Sequence, residues 1–176
     1  MQQRDTIKTI IAALFTIYFL WCAYAPENAV FLHLINLPIH EAGHIFFRIL
    51  GEFVGVAGGS LLQIIVPVVF FGYFIYYKKP FSASIVLFWV GENFLDVYVY
   101  ANDAIVMQLP LLSGLTGAEG GFHDWNYLLT ETGLLGSTQL IAKMLRFSAT
   151  VLIVAAAIGS FIYATKGEKI VSDIEL

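Results

Sequence analysis

Five apolar runs, at about residues 7–25, 29–50, 57–77, 81–101 and 141–164, restrict what this chain can become. Crossing the roughly 30 Å hydrocarbon core of a bilayer takes about 20 residues of helix, and there an unpartnered backbone polar group is costly. With 59% hydrophobic and only 12% charged residues, against about a quarter charged in soluble domains, the chain reads as an all-α polytopic membrane protein whose first partner is the lipid bilayer. Residues 1–176 show no composition shift that would mark a second domain. The net charge of −4 is spread thinly; with no basic stripe, nucleic-acid binding is excluded. Cys22 is the only cysteine, so neither an internal disulfide nor a four-thiolate zinc site can form. Arg4, Lys8 and the "AYA" at 23–25 have the look of a signal peptide, but Pro26 is a poor residue after a cut. The first run is expected to remain as a span, with cleavage as the alternative.

The second run differs from the others. It carries His33, Asn36, His40, Glu41, His44 and Arg48, with Pro38 in its middle. Proline suits the first turn of a helix and disrupts its interior, and Asn36 just upstream is a good cap. A helix is therefore predicted from near Leu37 to just before Gly51, about 13 residues or roughly 20 Å, short of a full crossing. Counting basic residues supports that. With segment 29–50 folding back and four spans at about 7–25, 57–77, 81–101 and 141–164, Arg4, Lys8, Lys78, Lys79, Lys166 and Lys169 share one side, opposite Lys143 and Arg146. Five crossings would split them five to four. The positive-inside rule favours the first arrangement. It predicts cytoplasmic N- and C-termini and gathers segment 29–50, the end of the fourth span and the long 102–140 connection on the non-cytoplasmic side.

Within that segment His40, Glu41 and His44 spell His-Glu-x-x-His. Residues four apart share a helix face, so both imidazoles can reach one zinc ion. Glu41 beside them can act as the base toward a water whose pKa the metal lowers to near 7. This is the arrangement of His-Glu-x-x-His metallopeptidases. The alternative is a polar seam between helices; yet in hydrocarbon two imidazoles and a carboxylate within five residues are costly unless they line a cavity or bind something.

"PIHEAGHIFF", followed by "EFVGVAGGS" and another apolar run, resembles the site-2 protease class of intramembrane zinc metalloproteases over roughly residues 36–75. The resemblance implies His40 and His44 as zinc ligands and Glu41 as general base. It also implies a Gly-rich segment, with Gly58 and Gly59, whose extended edge pairs with an unwound substrate; a flexible turn between two helices is the other reading. Gly43 fits a close helix approach. That class takes a third ligand from an Asp in Leu-Asp-Gly, where this chain has Leu95, Asp96 and Val97.

A catalytic zinc takes three protein ligands and keeps one position open. Depth along the fourth span and the Gly-rich loop "GAEGGFHDWNYLL" rank the candidates His123, then Asp103, then Asp96, then Glu92; a strict family analogy would put Asp96 first. Asp124, next to His123, is expected to orient its ring, while Trp125 and Tyr127 suit the membrane interface. His33, separated from His40 by Pro38, is expected to be structural. The function expected is a membrane-embedded zinc hydrolase, foremost a peptidase acting on a membrane protein or peptide. The alternative is a non-catalytic membrane subunit with a structural zinc closed by His40, His44, His123 and Asp103. A carrier using Glu92, Asp96 and Asp103 would call for internal repeats, and the sequence shows none. Four histidines are too few for a desaturase, and no phosphate loop or Gly-x-Ser-x-Gly elbow exists to give Ser60 a nucleophile's role.

Overall fold

The computed structural model of the chain describes residues 3–28 and 30–165. Ala29, Lys166, Lys169 and the C-terminus, which entered the sequence expectations, lie outside the described residues. The described residues form six α-helices, in order: α1 (Thr6–Tyr24), α2 (Val30–Phe47), α3 (Glu52–Tyr76), α4 (Pro80–Asn102), α5 (Asp124–Glu131) and α6 (Thr138–Ile162). Among the described residues the only β features are two isolated bridges. Four helical stretches among the described residues are long and apolar enough to cross a membrane: α1, α3, α4 and residues 135–162, which include α6. α1, α4 and α6 match their predicted spans to within a few residues, while α3 begins about five residues earlier than expected.

α4 is the central helix, packed against α6, α3 and α1. Lipid competes with apolar side chains as a solvent, so close van der Waals fit must supply the association. That explains the small residues between α4 and α6. A Cβ on Gly91 would lie 2.7 Å from Ile153 Cγ1, and Ala149 and Ala156 are fully buried beside it. Phe19 of α1 stacks on Phe88 of α4 with centroids 5.0 Å apart, an aromatic pair worth about 1 kcal/mol beyond its buried area. The outward faces carry exposed apolar side chains such as Ile17, Phe70 and Phe147, as a lipid-facing surface requires.

Both ends of this bundle are tied. At one end, Asp5 caps α1 by accepting from the Ile7 and Lys8 amides, and the Asp5 amide donates to the Ala164 carbonyl. At the other, Arg146 donates to the Ala23 and Tyr24 carbonyls that α1 leaves open, and Gln139 donates to Asn102 Oδ1. This second end also holds α5 and the C-terminal part of α2, the grouping expected from the sequence.

Two local expectations are corrected. α2 does not start near Leu37; it begins at Val30 and runs straight through Pro38. A proline removes one helical N–H bond, but an apolar surrounding offers the remaining amides no partner better than the helix itself. Asn36 is consequently not a cap but a fully buried mid-helix residue. The predicted stop holds: a 3₁₀ turn, Arg48–Leu50, ends at Gly51 with φ +104°. Second, "VGVAGGS" is not an extended edge, because it lies inside α3. Its glycines serve helix contact: a Cβ on Gly43 of α2 would sit 2.1 Å from the Gly58 carbonyl oxygen, and one on Gly58 would sit 2.6 Å from Phe47 Cβ.

Candidate metal centre

α2 rises along α3 toward the α5 end of the bundle. Asn36, seven residues in, meets Trp89 and Glu92 near the middle of α4; His40 and His44, one and two turns on, meet Asp124 at the start of α5. The two imidazoles present Nε2 to the same carboxylate oxygen. His40 Nε2 lies 3.0 Å and His44 Nε2 3.2 Å from Asp124 Oδ2, and the three atoms lie within 4.8 Å of one another.

The other ring nitrogens settle what faces inward. His44 Nδ1 is 3.0 Å from the Gly55 carbonyl oxygen, which only accepts, so Nδ1 carries the hydrogen. His40 Nδ1 is 2.9 Å from Gln63 Oε1. The Gln63 amide nitrogen donates to Asp96 Oδ2, so its oxygen is the atom left to accept from His40. In neutral rings both Nε2 atoms are therefore bare lone pairs turned toward a carboxylate oxygen. Two buried acceptors and a half-buried one do not satisfy one another; the arrangement calls for a cation or for added protons. The two imidazole-to-carboxylate separations, 3.0 and 3.2 Å, approach the roughly 3.3 Å edge of a tetrahedron with zinc-to-ligand bonds of about 2.0–2.1 Å. Room is kept by Gly59, where a Cβ would lie 2.5 Å from His40 Nε2 and 2.7 Å from His44 Nε2. The cluster His40, His44 and Asp124 can thus hold a metal ion.

Asp124 is the first residue of α5, where the helix N-terminus favours a negative side chain. Burial alone would raise its pKa, but the hydrogen bonds that His40 and His44 give it when their Nε2 atoms are protonated outweigh burial and hold the carboxyl below its usual range. Its backbone amide donates to the Tyr100 hydroxyl, 3.0 Å away. His123 supplies the preceding cap: its Nδ1 accepts from the Asn126 amide at 3.2 Å, which places its hydrogen on Nε2, 3.4 Å from Asp103 Oδ2. Burial lowers the His123 pKa, with Asp103 opposing it, in keeping with a neutral ring.

The sequence-predicted residues are therefore sorted as follows. His40 and His44 converge as expected. Asp124, expected behind His123, is the residue that meets them, whereas the His123 lone pair is spent on the helix cap. Asp103 accepts from the Gln108 and Leu109 amides and shapes the loop after α4. Asp96 is engaged by Gln63 and by His33, whose Nδ1 is 2.8 Å from Asp96 Oδ1. Glu92, 1% exposed, is held by Asn36 at 2.8 Å. Gly59 lies under the imidazoles and Gly58 against α2, so both act through contact between helices. Gln63 was overlooked, though a lone amide in the 57–77 run was a visible signal.

Glu41 makes no hydrogen bond or ion pair among the described residues. It lines a cavity of about 1490 Å³ with His40, His44, Asp124, Tyr100 and Arg48. Residues 109–114 and Phe122 add a mostly apolar part of its lining. Neither a protein-family model, nor a curated protein, nor a solved structure matches the chain.

Proposed function

We propose that the protein is a membrane-embedded zinc hydrolase, foremost a peptidase, with His40, His44 and Asp124 holding the metal and Glu41 as general base. The observation that carries this is the pairing of three converging acceptor atoms with an unengaged carboxylate on the same cavity wall. When bound, zinc supplies Lewis acidity and brings the pKa of a coordinated water near 7. The chain's own groups do the rest. Gly55 and Gln63 orient the imidazoles, and Glu41 accepts a proton at its carboxylate and returns it to the departing amine. The apolar wall keeps bulk water away from the scissile bond. The resemblance of residues 36–75 to site-2 proteases points the same way, with Asp124 in place of the Asp96 that analogy suggests.

Three ligands with open space beyond them suit catalysis better than a closed structural site. The four residues that a structural zinc would need divide instead into two pairs of neighbours, His40 with His44 and His123 with Asp103. We further infer that α2 is a half-crossing segment. It climbs from the level of Trp89 and Glu92 to the level of Asp124, and the loop charges assign that end to the non-cytoplasmic side.

The test is hydrolysis of detergent-solubilised membrane peptides by purified protein and by Glu41→Gln. The variant is expected to keep its zinc and to lose about 10²–10⁴-fold in rate. Unchanged hydrolysis in Glu41→Gln, or a wild type that cleaves no peptide bond while carrying its zinc, overturns the reading.

A further inference from the structure

A chain of polar side chains leads away from the metal centre into the bundle. His40 Nδ1 donates to Gln63 Oε1 at 2.9 Å, Gln63 Nε2 donates to Asp96 Oδ2, and Asp96 Oδ1 lies 2.8 Å from His33 Nδ1. Gln63 is 3% exposed and sits in a helix apolar enough to span a membrane. A buried amide there is expensive unless both its ends are used, and here both are. An amide can be turned end for end at no cost in shape, so the group that decides which end faces His40 is the one that can only accept. That group is the Asp96 carboxylate.

We propose that Gln63 is a positioning residue, locked in orientation by Asp96, that fixes the hydrogen of His40 on Nδ1 and so keeps the Nε2 lone pair turned to the metal centre. This rests on reading His40, His44 and Asp124 as a cation site. Without Gln63, the only strong acceptor near the His40 ring is Asp124 at Nε2. The hydrogen then moves to Nε2, and the ring enters the centre as a donor, which a metal must displace. Asp96 thus acts two bonds away from the centre, and His33 holds its second oxygen. Partners of this kind, which orient a ligating imidazole, commonly change metal affinity 10–100-fold.

Two measurements test it. The first is ¹⁵N NMR of histidine-labelled, metal-free protein with the His40 ring neutral. The wild type is expected to show a protonated Nδ1 on His40, and Gln63→Leu to show the hydrogen transferred to Nε2. The second is zinc affinity. Gln63→Leu is expected to weaken binding 10–100-fold, and Asp96→Leu to approach it. Asp96→Asn, whose amide can donate as well as accept and so no longer dictates which end of Gln63 faces His40, is expected to recover only part of the loss. A wild-type His40 that carries its hydrogen on Nε2 overturns the proposal. So does a folded Gln63→Leu with unchanged affinity, or an Asp96→Asn that loses metal as completely as His44→Ala, since that would make Asp96 a ligand. If the wild type binds no zinc at all, the functional reading fails by itself, and the NMR arm still decides the role of Gln63.

Discussion

Two buried polar clusters share α2, one turn apart, and they are built on different accounts. In the deeper one, Trp89 Nε1 donates to Asn36 Oδ1 at 2.9 Å and Asn36 Nδ2 donates to Glu92 Oε2 at 2.8 Å. Donor meets acceptor at each step, and the cluster is sealed: Asn36 is fully buried and Glu92 is 1% exposed. In the upper one, His40, His44 and Asp124 turn three acceptors toward one another while carbonyl oxygens of Gln63 and Gly55 accept from the rings from behind, and the cluster borders a large cavity. A polar seam between membrane helices looks like the first. The second is an arrangement that could hold a cation. The sequence alone showed only histidines, an asparagine and acids at helical spacing, and hydrogen-bond accounting separates the two.

The comparison is broken most severely by filling the upper cluster. Gly59→Val places side-chain atoms where His40 and His44 Nε2 now lie within 2.7 Å of a bare Cα position's missing Cβ. Complete loss of bound zinc is expected, measured as metal per chain in protein that still elutes as a folded particle. Next, His44→Ala and Asn36→Leu should diverge. The first is expected to lose its zinc with a modest change in metal-free stability. The second is expected to keep its zinc but to lose about 1–3 kcal/mol of stability, because Glu92 is left buried without its donor; thermal unfolding in detergent compared with metal content reads both. A smaller effect sharpens the assignment within the loop. His123→Asn retains a side chain able to cap α5, and its zinc affinity is expected to stay within about tenfold of wild type, whereas a ligand's loss would abolish binding. Smallest of all, Arg146→Ala removes the donors to the Ala23 and Tyr24 carbonyls. It is expected to cost about 1 kcal/mol of stability with no change in zinc.

Much of the fold was legible because lipid imposes a length. The runs at 7–25, 81–101 and 141–164 became α1, α4 and α6 with little adjustment. The two local misreadings came from rules calibrated on water-exposed chains. Pro38 ends helices where water can take over the freed carbonyl, and the "VGVAGGS" glycines loosen a chain where solvent can bond the backbone; neither condition holds inside an apolar bundle. At the site, the four-residue spacing of His40 and His44 was enough to bring both imidazoles to one place. The third residue of the cluster was not legible. His123 and Asp124 are adjacent, and only the start of α5 decides that the imidazole turns back to cap the helix while the carboxylate turns toward α2. Gln63 and the Gly55 carbonyl reach the imidazoles through α2–α3 contact, which no spacing within one helix encodes.

The claim on which the rest depends is that Asp124 completes a cation site with His40 and His44. The most direct measurement is zinc per chain in wild type and Asp124→Ala, purified side by side without chelator. One equivalent in the wild type, with almost none in the folded variant, is the predicted result. A wild type without stoichiometric zinc, or an Asp124→Ala that retains its full equivalent, would contradict it.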